Sequence, residues 1–322
     1  MEHDGGDVLL QNKLSGTTEQ ERSELLQRLG GLALAIDQAA AYISFHKLSI
    51  PDFMAKYETR KAQILKHHEE DTWEYNTHLN SSEKQTALTA YTTWEMSFQQ
   101  IEPANPDRKE WITQFLSISA FLHPARIGEH IFRAFYPYQA ESSVWLNAFT
   151  GSESEDSASD VHETQPEWDG SRFHKIIRNL EQLSLVTSTD KYSKDTGAWF
   201  SVHPVIRDWL QIRMKSNLRQ ETFEESIYLV KTVTALEVTR VAGVEVTQEL
   251  LNHVDILVNP LNALCKCGFL DDVLVADSVI QFGYFYLDNG HTTKAIELLE
   301  YASDIVRASS AADELVLRLE YT

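Results

Sequence analysis

Basic residues are scarce in this sequence. Lysine and arginine number 28 against 48 acids, a net charge of −20 over 322 residues. Such an acidic excess keeps a chain soluble and repels phosphate backbones, so nucleic acid is not expected as a partner. Long apolar runs are missing as well. The longest, Val273 to Leu287, holds Asp277 and falls short of the roughly 18 residues that a membrane-spanning helix needs. The opening "MEHDGGDVLL" carries acids where a signal peptide would carry bases, so no membrane partner is expected. Cysteine occurs only twice, as Cys265 and Cys267 in "CKC". Two such residues build neither a disulfide framework nor a zinc site, and they fit a reducing, cytoplasmic compartment. Nowhere is there a G-x-x-x-x-G-K-[ST], so no loop of backbone N–H groups is set to cradle a phosphate.

What is present is ordinary globular material, 43% apolar and 24% charged, long enough for two or three domains. The N-terminal part reads as helices. Thr18 and Glu21 have capping-box spacing, with Leu25, Leu26 and Leu29 on one face behind them. Gly30-Gly31 breaks that helix, the alanine-rich "LALAIDQAAAYISF" starts another, and "SIPDFMAKYETRKAQIL" a third with proline early in it. These form an expected helical domain over residues 1–72.

Residues 73–215 read as a winged helix. "RKEWITQFLSISAFL" and "IGEHIFRAFY" are apolar at helical spacing, and "RFHKIIRNLEQL" puts Phe173, Ile176, Ile177, Leu180 and Leu183 on one stripe. Then "SLVTST" and "AWFSVH" form two β-prone runs around the polar "DKYSKDTG", a hairpin with a loop of several residues. A further helix starts near Pro204. Residues 141–169 are acidic and serine-rich with no lysine or arginine, and are expected to be a disordered insertion.

The last stretch, 216–322, reads as the start of an α-solenoid. Phe282, Gly283, Tyr286, Ala295, Leu299 and Ala302 stand at tetratricopeptide (TPR) spacing around the turn "DNG". Small residues let two antiparallel helices approach, and large ones fill the gaps between them. The expected fold class is therefore mainly α: a helical bundle, a winged helix with its small β-hairpin, and the start of a TPR-like array. The sequence stops inside what should be the next helix, so it reads as a piece of something longer.

Several of these stretches also carry a resemblance. "LGGLALAIDQAAAYI", "WEMSF" from Trp94, "FLSISAFL", "LEQLSLV" and "FSVHPVIRDW", followed by TPR-like helices, resemble in order and spacing the fungal NB-ARC (STAND, NLR-like) signal-transduction ATPases. The resemblance covers nearly the whole chain and implies a fragment lacking the family's P-loop domain. It implies that Gly31-Leu32-Ala33-Leu34 matches the Gly-Leu-Pro-Leu turn lining the adenine site, with Ala33 in place of the proline. It also implies that His203 matches the histidine of the Met-His-Asp motif, which holds the β-phosphate of ADP. The implied role is a regulatory and scaffold segment, not an enzyme. It couples nucleotide state to protein partners bound by the TPR-like region, with ADP or ATP bound only if a P-loop domain is supplied.

Other readings attach to the same residues. His203 also fits a plain strand-to-helix junction. A winged-helix DNA-binding regulator is the alternative, since Arg172, Lys175 and Arg178 can face one side of a helix, although Glu181 sits among them. A hydrolase on His203 lacks a nucleophile, because there is no G-x-S-x-G and Asp208 lies five residues on, off its helical face. "KHHEE" at Lys66 to Glu70 pairs neighbours that point apart, so no metal is expected there.

Overall fold

The computed structural model describes residues 3–67, 81–101, 104–138, 143–151, 167–193, 197–236, 244–266 and 272–308. Cys267, most of "KHHEE" and the centre of the expected insertion, 152–166, lie outside them. The described chain is mainly α-helical with one three-stranded sheet, the expected class. Among the described residues no helix is long and apolar enough to cross a membrane. The chain divides into two compact units, taken in turn: Met1–Glu110 with His174–Ser188 and Val202–Arg213, and Trp111–Phe173 with Thr189–Ser201 and Met214–Thr322.

The first unit begins with α1 (His3–Lys13), α2 (Glu19–Arg28), α3 (Ala33–His46) and α4 (Ile50–His67). The expected capping box starts α2: Thr18 accepts from the Glu21 N–H, and Glu21 accepts from the Thr18 N–H. Gly30 and Gly31 both take positive φ, a conformation that glycine enters without steric cost, and so turn the chain into α3. Ala35, Ala39 and Ala40 then let neighbouring helices close over Leu10, Leu25, Leu29, Ile36 and Phe53. Helix α5 (Ser81–Phe98) buries Trp94, whose ring lies 5.8 Å from Trp209 of α9 (Pro204–Ile212).

The second unit holds most of α6 (Pro106–Ser119), then β1 (Ile127–Gly128) and α7 (Glu129–Phe135). Further along the chain come α8 (Gly170–Gln182), β2 (Thr187–Ser193) and β3 (Gly197–Ser201). β1 pairs antiparallel with β3, Ile127 opposite Phe200 and Gly128 opposite Trp199, and the sheet order is β1-β3-β2. Most of α8, from His174 on, belongs to the first unit. The compact units cut the chain elsewhere than at residues 72 and 215, because α5 packs on α3 and α4, and α9 joins α5 through Trp209 and Trp94.

Two expectations need correction. Residues 143–151 and 167–169 are not a disordered insertion. A 3-10 helix over Val144–Phe149 buries Trp145, Leu146 and Phe149, and Thr150 bridges to Trp168. Ring centroids of Phe115 lie 5.0 Å from Phe132, 6.3 Å from Trp145 and 5.0 Å from Phe149. The apolar stretch "VWLNAF" is diluted by the acidic, serine-rich residues around it, so average composition hides it. The hairpin is also longer than expected, since β2 runs on to Ser193 through residues read as loop.

The unit closes with α10 (Ser216–Ala235), α11 (Val244–Lys266), α12 (Asp272–Asp288) and α13 (Thr292–Ala308). α12 and α13 form a tight antiparallel hairpin. A Cβ placed on Gly283 would stand 3.0 Å from the Leu299 side chain and 3.7 Å from the Ala295 carbonyl oxygen. A side chain at 283 would thus need the Leu299 side chain to give by a few tenths of an ångström where these two helices meet.

Candidate functional site

His203 is the N-cap of α9. Its Nδ1 accepts the Val205 N–H at 3.2 Å, and Pro204 follows at the first helical position. An accepting Nδ1 carries no proton, so the ring proton sits on Nε2. The side chain is exposed, as is Asp208. Leu32 is the half-buried N-cap of α3, and Ala33, exposed, is its first residue. All three expected nucleotide contacts belong to the first unit. An open hollow in the same unit is lined by Glu24, Arg28, Leu29, Gly30, Met54 and Thr89, but not by Leu32, Ala33 or His203.

The basic stripe of α8 is only partly available. The Arg172 guanidinium donates to the Thr150 carbonyl, which leaves Lys175 and Arg178 exposed. Glu181 is occupied too, accepting from the backbone N–H and the hydroxyl of Ser188.

The densest polar chemistry lies elsewhere, in the second unit, on two buried carboxylates. Glu129 opens α7. One oxygen accepts the Trp168 indole N–H at 3.0 Å and the other the Ala198 N–H at 2.9 Å. Gly197, at φ +71°, lies so close beneath this carboxylate that no Cβ fits. Glu129 therefore clamps the hairpin to the start of α7.

Glu249 projects from α11 with its side chain fully buried. Its Oε1 accepts the Gly128 N–H of β1 at 2.6 Å and faces His253 Nε2 at 3.3 Å, one helical turn on. His253 Nδ1 accepts the His123 N–H at 2.9 Å, which puts the ring proton on Nε2, directed at Glu249. Across the carboxylate, His130 Nε2 of α7 lies 3.1 Å from Oε2, off the line of a good hydrogen bond. The His130 ring is tilted against Trp199 of β3 at 5.1 Å, and the Arg126 guanidinium lies 3.9 Å from the Trp199 ring centre. Burial works to raise the Glu249 pKa, but the imidazoles of His130 and His253 outweigh it and hold it below the usual carboxylate range.

This cluster binds helix to strand. It presents no nucleophile, and among the described residues no group of His, Cys, Asp or Glu is arranged to hold a metal ion. Its chemistry is that of a buried charge held in place by several donors. Sequence reasoning missed it. The only local signal was "ELLNH", which sets Glu249 and His253 at i,i+4. The other partners, Gly128 and His130, are more than a hundred residues away.

A second polar tie joins α11 to the terminal hairpin. The Tyr286 hydroxyl donates to Asp255, and Lys294 Nζ lies 2.6 Å from the same oxygen. Burial, and then the Asp255 carboxylate, push the Tyr286 pKa upward, so its proton stays on and the hydroxyl keeps its donor role. No protein-family model, no curated protein and no solved structure matches this chain.

Proposed function

We propose that this chain is a regulatory and scaffold segment of a STAND-type signalling protein. It passes the nucleotide state of a P-loop module to proteins bound by its TPR-like helices, and it has no NTPase site of its own. The observation that supports this reading is Glu249. Through it, β1 and α7 of the winged helix are tied to α11, and Asp255 ties α11 in turn to α12 and α13. A displacement of the winged-helix strand is thus felt along a chain of directed polar contacts by the helices that would carry a partner.

The residues present do not hold a nucleotide by themselves. His203 is an exposed cap, Leu32 and Ala33 supply no charge, and a phosphate loop is absent from the sequence. ADP or ATP enters this scheme only on a supplied P-loop domain, and the cytoplasm is the compartment it fits. Hydrogen exchange on His130→Ala tests the coupling, because this variant removes the α7 side of the tie without altering α11 and leaves the Gly128–Glu249 bond in place. Protection should fall in α11 and onward in α12, as well as in α7. Loss confined to residues 127–135 would contradict the reading.

A further inference from the structure

The hairpin of α12 and α13 has one covered side and one open side. Each residue advances a helix by about 100°. Residues that follow the contact position on two antiparallel helices therefore turn toward the same side of the pair. Gly283 meets Ala295 and Leu299, so Tyr284 and Ile296 share a side, with Leu287 one turn beyond Tyr284. Tyr286 and Lys294 point the other way and are taken up by Asp255 of α11. Tyr284, Leu287 and Ile296 are 54%, 47% and 51% exposed, three of the ten large apolar side chains exposed among the described residues.

The rim of this strip carries one sign of charge. Asp288 on α12 and Glu297 and Glu300 on α13 are exposed. Of the two cations of the hairpin, Lys294 is engaged with Asp255, and Arg307 stands in the last turn of α13 with Asp304 3.9 Å away. An apolar strip edged by carboxylates fits an apolar stripe edged by lysine or arginine.

We propose that the Tyr284–Leu287–Ile296 face docks a basic amphipathic helix of a partner protein. This rests on the reading of α12 and α13 as a partner-binding pair, and names the partner's chemistry. A second copy is disfavoured by a net charge of −20 on each chain. The sequence that follows, residues 309–322, has three acids and one base, and does not complement the rim. An anionic membrane surface is repelled by the same carboxylates.

The test is anisotropy titration of the full chain with two designed helical peptides sharing a leucine stripe, one flanked by lysine and one by glutamate. The basic peptide should bind at least about tenfold more tightly. Tyr284→Ala and Ile296→Ala should each weaken it by roughly fivefold or more. Val8→Ala, an equally exposed apolar residue of α1, should change nothing. Equal binding of both peptides overturns the proposal, as does an affinity unmoved by the two hairpin variants, which would mean charge attraction alone. It is also overturned if a synthetic peptide of residues 309–322 binds more tightly than the basic one. Self-association lost in Ile296→Ala would place a second copy there instead. The hydrogen-exchange result on His130→Ala is independent of these outcomes, so failure here leaves the coupling reading separately judged.

Discussion

The N-terminal helices and the sheet-containing core of the second unit bury their polar groups in opposite ways. The first unit is built from leucine, isoleucine and alanine, and its central polar residue is neutral: buried Gln38 accepts from the Ser97 hydroxyl at 2.9 Å and donates to the Ser184 carbonyl. Of its ion pairs, Lys13 with Asp37 and Arg28 with Glu58 lie near the surface and contribute little, while Arg22 with Asp7 and Arg60 with Glu95 are more sheltered. The aromatic core of the second unit adjoins two buried carboxylates, Glu129 and Glu249, each accepting backbone N–H groups. Buried charge is a poor source of net stability but a strong constraint on arrangement, because any displaced geometry leaves the charge without its donors. The lesson is that the first unit is held by shape and the second is held in register.

The largest way to break this contrast is Glu249→Ala. It leaves the Gly128 N–H and the His253 Nε2–H buried without an acceptor, and should cost about 3–5 kcal/mol in chemical denaturation. The same residue gives a pH prediction. Its folded pKa is depressed, so its contribution is complete above the unfolded carboxylate pKa and is lost as pH falls through the lower folded value. Below about pH 4 the β1–α11 region should therefore lose exchange protection before α1–α3, whose central tie through Gln38 does not titrate.

Next in size is Ala295→Trp. Ala295 is buried where α12 and α13 meet, and overpacking there should cost about 1–3 kcal/mol. Lys294→Trp, one residue away and half exposed, gives up its contacts with Asp255 and the Tyr286 ring and should do much less.

The features that were legible in the sequence are local ones. The Thr18–Glu21 box, the Gly30-Gly31 break, the apolar stripe of α8 and the small residues of the terminal hairpin each depend on neighbours within a turn or a hairpin. The polar ties were not legible, because Gly128 and Glu249, or Gln38 and Ser184, meet only after the chain has folded. His203 shows the limit from the other side. Its proline and its strand-to-helix position mark a junction, and the structure puts it at an N-cap.

Smaller effects sharpen the contrast in the first unit. Thr18→Ala removes a capping box and should lower its stability by about 1 kcal/mol, read from the first loss of protection in α2. His203→Ala should change stability by less than about 0.5 kcal/mol, since the Val205 N–H is exposed and water can replace the ring. Titration of ADP should show no saturable binding in either form. Micromolar affinity that disappears in His203→Ala would contradict the proposal that this chain holds no nucleotide by itself.

The most direct test of the coupling is a double-mutant cycle on its two halves, Glu249→Gln on α11 and His130→Ala on α7, followed by chemical denaturation. If the carboxylate ties the winged helix to α11 as described, the two changes should be non-additive by about 0.5–3 kcal/mol. Additivity within about 0.3–0.5 kcal/mol would mean that the two elements share a location without sharing energy, and would contradict the account.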